Sequence, residues 1–208
     1  MTVHAAESLA ALNVSRETIL RLEKLVTLMR KWNPAINLVS KSTLEDAWTR
    51  HVLDSAQIYA LADQPVQHWG DLGSGGGFPG LVVACIASEL HPGMRMTLVE
   101  ADQRKATFLR EASRTLGIAP DIRAERVESL APLRADVISA RALAPLEKLC
   151  ALTLPHLAPG GAALFLKGAS HAAEVEAARK TWHFDLENWS SATDPKAVIL
   201  KVKGLAHV

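Results

Sequence analysis

The chain has almost no net charge. Its 23 lysine and arginine residues are balanced by 22 aspartate and glutamate residues, which leaves a formal charge of +1 at pH 7. A protein that attracts RNA or DNA through its overall field has a large excess of basic residues. Any nucleic-acid binding by this chain is therefore expected to depend on a local basic patch.

Cysteine is equally scarce, with only Cys85 and Cys150 in 208 residues. The two lie far apart in apolar stretches, and neither is close in sequence to the Cys or His partners of a metal motif. We expect buried free thiols, as is typical of proteins in a reducing cytosol, and neither a disulfide nor a metal site.

Long hydrophobic runs are also missing. The longest, residues 81–87, is far shorter than a transmembrane helix requires. The first residues show no basic region followed by an apolar core, so the sequence predicts no signal peptide. These features favour a cytoplasmic protein without a membrane partner. We also expect a monomer.

A helical pattern covers the first third of the chain. Apolar residues recur at three- and four-residue steps after Ser15, which is a good N-cap residue. We expect this helix to end at Trp32-Asn33-Pro34, because the residue before a proline avoids the helical conformation.

Two more helices are expected before the pattern changes. Ser42 followed by Glu45 predicts a capping box that opens the second helix, and residues 52–59 predict a third. Asp63-Gln64-Pro65 predicts a boundary. The chain is thus divided into an N-terminal helical extension, residues 1–63, and a second domain, residues 64–208.

Short apolar segments alternate with helical stretches in the second domain. We expect strands over residues 67–72, 94–100, 120–124, 136–140, 162–167, 183–189 and 197–202, and helices that begin near Pro79, Asp102, Pro145 and Ser170. This alternation predicts an α/β Rossmann-like fold, in which a mostly parallel seven-stranded sheet has helices on both faces. Ligands of such sheets bind at the carboxyl ends of the strands.

The first predicted strand ends in a glycine-rich segment, which contains Gly73, Gly75 and Gly77. So many glycines between a strand and a helix indicate a sharply turning backbone against which a ligand can lie. The next strand ends in Glu100, whose carboxylate can accept hydrogen bonds from both hydroxyls of a ribose. This order of elements predicts a nucleotide-like ligand, with tight packing alone as the alternative explanation of the glycines.

The identity of the ligand depends on two further residues. The spacing Gly75-x-Gly77-x-x-Gly80 also matches the fingerprint for NAD. However, Asp71 places a carboxylate at the strand end, which would repel a pyrophosphate but suits the amino group and sulfonium of S-adenosylmethionine (SAM). Pro79 removes an N–H donor that a phosphate would use. A SAM-dependent methyltransferase is therefore favoured over an NAD-dependent oxidoreductase and over a nucleotide-binding module without catalysis.

Two basic residues end later strands at the same edge of the predicted sheet. Arg141 ends the fourth strand and is expected to face the ligand, with pairing to Asp71 or Glu100 as the structural alternative. Lys167 ends the fifth strand and is expected either to hold an RNA phosphate or to be a solvated lysine.

A polar cluster is predicted around the start of the third helix, where Arg50, His51 and Asp54 fall on one helix face at three- and four-residue spacing. No second group of ligands supports a metal site there. We expect the cluster to dock the helical extension on the sheet, with Arg50 and His51 as candidates for RNA binding.

Several motifs together resemble one family, the RsmG (GidB) methyltransferases. They are, in order, Trp32-Asn33 with Ile36-Asn37-Leu38, then Arg50-His51-x-Leu53-Asp54-Ser55, the glycine segment from Asp71 to Gly80, Arg126-Val127-Glu128, Ser139-Ala140-Arg141-Ala142 and Leu166-Lys167-Gly168. The resemblance covers about residues 32–168. Members of this family are bacterial enzymes that methylate N7 of one guanine in 16S ribosomal RNA.

The resemblance implies a SAM site formed by Gly73 and Phe78, with Val127 and Glu128 beside the adenine and Arg141 facing both cofactor and substrate. For Glu128 the alternative is a solvated acid at a helix start. The implied partner is 16S ribosomal RNA or the small ribosomal subunit. A SAM-dependent small-molecule methyltransferase is the alternative function.

The implied nucleophile also predicts the mechanism. Guanine N7 in RNA has a lone pair and no proton, so methyl transfer needs no general base, and Arg141 is expected to act by positioning. The sequence agrees, since it has no Asn/Asp-Pro-Pro-Tyr/Phe segment after the fourth strand, a pattern typical of exocyclic amine methylation. It also has no cysteine suitably placed for carbon-5 chemistry.

Overall fold

The computed structural model describes residues 13–208. The start of this part of the chain is helical, as the sequence predicts. Helix α1 spans Arg16–Ile36, a 3-10 turn spans Lys41–Thr43, a π-helical stretch spans Trp48–Leu53, and helix α2 spans Asp54–Leu61. Residues 1–12 of the predicted extension lie outside the described residues.

Helix α1 begins where the sequence predicts. The Ser15 hydroxyl accepts a hydrogen bond from the backbone N–H of Thr18 at 3.3 Å, which caps the helix. The apolar residues Leu22, Leu25 and Met29 are fully buried, as their spacing indicates.

The predicted end of α1 is wrong, because the helix continues through Pro34 to Ile36. A proline this close to the C-terminus removes a single backbone hydrogen bond. Burial of Asn33 and Ile36 stabilises the last turn, and the Asn33 side chain accepts the backbone N–H of Val39 at 2.8 Å.

The capping box predicted at Ser42 is also wrong. Ser42 lies inside the 3-10 turn, where the Thr43 hydroxyl donates to the carbonyl of Ser40 at 2.9 Å. Such local hydrogen bonds compete with helix formation. The predicted third helix is confirmed, and it begins as a π-helix in which three consecutive residues, 51–53, are buried.

Within residues 13–208 seven strands form one sheet, which confirms the predicted fold class. They are β1 (His68–Leu72), β2 (Arg95–Val99), β3 (Asp121–Arg123), β4 (Ala135–Arg141), β5 (Leu157–Lys167), β6 (Trp182–Ser190) and β7 (Val198–His207). Their order is β3-β2-β1-β4-β5-β7-β6, with β7 antiparallel to both neighbours. The first three strands are added in one direction across the sheet, and β4 then returns to the other side of β1. This reversal of strand order creates a crevice between β1 and β4, where ligands of such sheets bind.

Four helices complete the domain, namely α3 (Gly80–Leu90), α4 (Gln103–Leu116), α5 (Leu146–Thr153) and α6 (His171–Ala178). The neighbouring strand residues Val137 and Ile138 belong to different apolar clusters, so the two clusters lie on opposite faces of the sheet. Leu25 of α1 and Phe108 of α4 share the first cluster. The division at residues 63 and 64 stays a prediction.

Both cysteines are free and buried, as predicted. Burial raises the pKa of each thiol to about 12, so neither is a ready nucleophile. In residues 13–208 no helix is both long and apolar enough to cross a membrane.

Candidate active site

The glycine segment forms a turn directly after β1. Gly73 and Gly75 have positive φ values of 68° and 50°, a conformation that favours glycine. The backbone N–H groups of Gly73 and Ser74 both donate to the carbonyl of Val99, at 2.9 and 3.0 Å. The turn is therefore anchored to the end of β2.

Glu100, the next residue after Val99, holds two backbone segments together. Its Oε2 accepts the N–H of Gly75 at 2.8 Å, and its Oε1 accepts the N–H of Asp102 at 2.8 Å. Each carboxylate oxygen has further lone-pair capacity. The carboxylate can therefore keep the turn in place and still accept hydroxyl donors from a ligand.

A cavity of about 390 Å³, called here the loop cavity, opens beside this turn. Seven of the nine predicted cofactor residues line it, namely Gly73, Gly75, Phe78, Glu100, Val127, Glu128 and Arg141. Its volume lies in the usual range for cofactor sites. A carboxylate at the strand end, a glycine turn and the Val127-Glu128 segment are groups that suit the ribose, amino-acid and adenine parts of SAM.

Asp71 and Gly77 do not line the loop cavity. Asp71 is fully buried, and its Oδ1 accepts the Ser139 hydroxyl at 2.6 Å, while Oδ2 has no hydrogen-bond partner among the described residues. Burial raises the pKa of this carboxyl to about 6, against the hydrogen bond from Ser139, which lowers it. Gly77 is needed for packing, since a Cβ there would lie 2.4 Å from Leu81.

Arg141 extends from the end of β4 between two parts of the protein. Its guanidinium lies over the Phe78 ring, 5.3 Å from the centroid, and its Nη1 donates to the carbonyl of Arg50 at 3.1 Å. The same nitrogen is 3.7 Å from Oδ2 of Asp54. The predicted structural alternative, pairing with Asp71 or Glu100, does not occur, because the helical segment supplies a nearer carboxylate.

A second and larger cavity, of about 700 Å³, lies between the helical segment and the ends of β4 and β5. We call it the cap cavity. Leu38, Arg141 and Ala142 line both this cavity and the loop cavity. The two cavities are therefore neighbours that meet at these three residues.

Lys167 lines the cap cavity but is not a free cation. Its Nζ lies 2.5 Å from Oε2 of Glu174 and donates to the carbonyl of Ala144 at 3.0 Å. Glu174 in turn accepts the N–H of Leu146 at 2.9 Å. Lys167 therefore fixes the segment between β4 and α5, and its ammonium would have to leave Glu174 to reach a phosphate.

Arg50 and His51 also line the cap cavity. Arg50 pairs with Asp194 at 2.7 Å and is more than a third exposed. His51 is buried, hydrogen-bonds to the Thr43 hydroxyl at 2.9 Å and lies 5.1 Å from the Phe78 ring. Burial and the charges of Arg141 and Arg50 lower the pKa of His51 to about 3, so this side chain is neutral at pH 7.

The predicted docking role of the polar cluster on the third helix agrees with these contacts. Asp54 Oδ1 accepts the hydroxyls of Ser191 and Thr193, both at 3.0 Å, and Arg50 reaches Asp194 in the same loop. In the part of the chain from residue 13 onward, no group of three or more His, Cys, Asp or Glu side chains is arranged to hold a metal ion.

Comparison with known proteins identifies the family. The family model described as "GidB: rRNA small subunit methyltransferase G" matches residues 18–198. A protein of Cereibacter sphaeroides (strain ATCC 17025 / ATH 2.4.3) named "Ribosomal RNA small subunit methyltransferase G" is 57% identical over 208 residues, which is all of both chains. One of the same name from Ruegeria pomeroyi is 51% identical over 95% of this chain and 96% of its own. The chain belongs to the GidB family.

Solved structures similar to this GidB-family chain agree on the fold. The ribosomal protein L11 methylase of Lactobacillus delbrueckii subsp. bulgaricus superposes with a TM-score of 0.59 at 16% identity, covering 74% of this chain and 78% of that one. Cofactor-bound Rv0187 from MTB gives 0.59 at 13% identity and covers 88% of each chain. At such identities the likeness shows the fold alone, and it confirms the Rossmann-like methyltransferase fold.

The GidB-family chain is a SAM-dependent methyltransferase, which confirms the enzyme class and cofactor predicted from the sequence. It is not the NAD-dependent oxidoreductase that the glycine spacing also permits. The roles of individual site residues stay predictions.

Sequence reasoning missed several residues that line the loop cavity, among them Lys105, Arg126, Leu143 and Lys148. Leu143 closely approaches the glycine turn, since a Cβ on Gly73 would lie 2.7 Å from its Cδ1. Of these four residues, only Arg126 could have been found from the sequence, because it is the first residue of the Arg126-Val127-Glu128 motif shared with the family. The others lie on segments whose side-chain directions depend on tertiary packing.

Proposed function

We propose that this protein transfers the methyl group of SAM to N7 of a guanine in small-subunit (16S) ribosomal RNA. The observation that supports it most directly is the junction of two cavities at Arg141, since a transferase needs its two substrates in contact. Family membership supports the RNA substrate, because relatives of over 50% identity are named ribosomal RNA small subunit methyltransferases. Guanine N7 follows from the sequence motifs that resemble that family.

The cofactor would occupy the loop cavity. Glu100 would accept the ribose hydroxyls, Gly73, Gly75 and Phe78 would border the amino-acid part, and Val127 with Glu128 would meet the adenine. Asp71 and Gly77 would act from beneath, by shaping the turn. When bound, SAM supplies a methyl group activated by the positive charge on sulfur.

The transfer itself requires no proton movement. The lone pair of guanine N7 forms the new bond to the methyl carbon while the carbon–sulfur bond breaks, and the electron pair of that bond stays on sulfur. The positive charge passes from sulfur to the guanine ring. The protein therefore needs to align the two atoms and to control charge, which are contributions of pre-organised polar groups.

The RNA would approach the cap cavity from outside. Lys41, Arg50 and Lys167 line this cavity and would be the contacts for RNA phosphates. Because Asp194 pairs with Arg50 and Glu174 with Lys167, a phosphate would have to replace these acids as the partner of each cation. Arg50 is the most exposed of the polar cluster on the third helix, whereas His51 would support Phe78. We propose that the enzyme acts as a cytoplasmic monomer, without a metal or a membrane partner.

Transfer of labelled methyl from SAM to small-subunit ribosomal RNA, naked or within 30S particles, tests this function. We expect label in at least one form, and mass mapping of RNA from cells with and without the protein should show one guanine that loses its methyl group. If SAM-loaded protein labels neither form, the ribosomal function is wrong. A small-molecule methyltransferase then becomes the better explanation.

A further inference from the structure

One carboxylate oxygen in the cap cavity, Oδ2 of Asp54, has no hydrogen-bond donor within 3.5 Å among residues 13–208. Asp54 Oδ1 is occupied by the hydroxyls of Ser191 and Thr193, but for Oδ2 the described residues offer only the Arg141 guanidinium, at 3.7 Å. The Asp54 side chain is 15% exposed and lines the cavity. A charged acceptor and a charged donor therefore lie side by side, beyond direct hydrogen-bond distance, at the junction of the two cavities.

The other acids of this cavity are already occupied. Asp194 holds Arg50 and accepts the N–H of Lys196 at 2.9 Å. Glu174 holds Lys167 and accepts the N–H of Leu146. Asp54 is thus the acid in the described part of the cavity whose second oxygen is available to a ligand.

Guanine has a matching pattern on its six-membered ring. The O6 acceptor and the N1–H donor are adjacent, and the N2 amino group adds a second donor beyond N1–H. An arginine donor beside an aspartate acceptor is complementary to this order. Adenine has the reverse order at the same positions, a donor on C6 and an acceptor at N1, so both groups would oppose it.

Resting on the proposed function, we propose that Asp54 is the residue that selects guanine. Its Oδ2 accepts N1–H and the N2 amino group of the acceptor base in the cap cavity, while Arg141 donates to O6. On guanine, O6 lies between N1 and N7. Because Arg141 lines both cavities, its bond to O6 turns N7 towards the loop cavity, where the methyl group would be.

This arrangement also suits the charge that develops. Methylation at N7 makes the ring cationic and strengthens N1–H and N2–H as donors. A carboxylate on that edge interacts more strongly with the methylated ring than with the neutral one, which favours the transition state over the ground state.

The substitution Asp54→Asn tests the assignment with little change in shape. The side-chain oxygen of asparagine can still accept the hydroxyls of Ser191 and Thr193, and only the free oxygen becomes an amide donor. Asp185→Asn is the control, since it makes the same change of an acid to an amide at an exposed residue that lines neither cavity. Calorimetry on the wild type and both variants measures SAM affinity. An unchanged affinity shows that a variant is folded and that its loop cavity is intact.

We expect Asp54→Asn to lower kcat/KM for ribosomal RNA about 10- to 100-fold, as loss of a hydrogen bond to a charged group implies. SAM affinity should change less than about threefold, and the control should lose less than about fivefold in kcat/KM. A second comparison uses RNA with inosine, which lacks only the N2 amino group, at the methylated position. On the inosine RNA, kcat/KM of the wild type should fall roughly tenfold relative to guanosine RNA. The fall should be much smaller for Asp54→Asn, because this variant already lacks the oxygen that accepts the N2 amino group.

Two results overturn the assignment while the proposed function stands. One is an Asp54→Asn variant with wild-type kcat/KM, and the other is an equal loss on inosine in both proteins. If SAM-loaded wild type methylates no ribosomal RNA guanine, the proposed function is wrong and this assignment fails with it.

Discussion

The backbone N–H of Gly75 donates to the Glu100 carboxylate at 2.8 Å, across 25 residues of sequence. This bond joins the two strongest sequence signals, the glycine turn after β1 and the acid after β2. Glu100 as a whole residue is 9% exposed, and it borders the loop cavity. The ribose-binding group and the turn that surrounds the cofactor are therefore one hydrogen-bonded unit, and changes in either should affect cofactor affinity.

Gly75→Val should abolish SAM binding while the protein stays folded. Gly75 has φ 50°, which a β-branched residue rarely adopts, and the turn must also let the ligand lie against the backbone. Gly117→Val is the matched control, because Gly117 has φ 67° at the end of α4 and no atoms within 4 Å of an added Cβ. Calorimetry that finds unchanged SAM affinity in folded Gly75→Val would show that the site lies elsewhere.

Glu100→Gln should weaken SAM binding roughly ten- to hundredfold, since hydrogen bonds to a charged group are the stronger class. Part of the loss comes from the turn, because an amide N–H₂ cannot accept the N–H of Gly75 or of Asp102 in place of the oxygen it replaces. Asp102→Asn, two residues away and still able to cap α4, should bind SAM normally. An effect of Glu100→Gln below about threefold would mean that the acid does not contact the ribose.

Lys167→Ala should lower methyl transfer and leave SAM affinity nearly intact. If Lys167 binds an RNA phosphate, the defect should grow with salt, because the remaining ionic contacts are salt-sensitive. Glu174→Gln separates this role from a purely structural one, since it weakens the 2.5 Å pair and frees the ammonium. If Glu174→Gln shows the same defect as Lys167→Ala at every salt concentration, the role of Lys167 is to position the segment before α5.

Asp71 should make the folded state less stable as pH rises. Its pKa is raised to about 6 in the folded protein, so between its usual value and pH 6 the folded state binds more protons than the unfolded state, and stability falls with pH. Across this whole pH range the free energy of unfolding should fall by roughly 3 kcal/mol. His51, whose pKa is lowered to about 3, acts in the opposite direction over an overlapping range.

Comparison of wild type with Asp71→Asn removes the His51 contribution, because both proteins contain it. The difference in unfolding free energy, wild type minus variant, should decrease from pH 4.5 to 7.5 in urea titrations. A difference that stays constant with pH would mean that Asp71 keeps an ordinary pKa.

The features that sequence reasoning located correctly depend on short-range order. The Ser15 cap, the seven strands and the order of turn and Glu100 follow from local propensity and from the period of apolar residues. Because parallel strands with short connections can be arranged in few ways, the position of the site at the strand ends also followed. Seven of nine cofactor candidates therefore line one cavity.

The remaining features depend on contacts between distant residues. Pro34 stays helical because burial of Asn33 and Ile36 outweighs the hydrogen bond that proline removes. Arg141 turns to Asp54 and Lys167 to Glu174, because a nearly buried charge takes the nearest opposite charge that folding brings to it. Side-chain direction at a strand end is not encoded by the period of the strand, so the cavity beneath the helical segment and its free carboxylate oxygen became visible only when both parts of the chain were packed together.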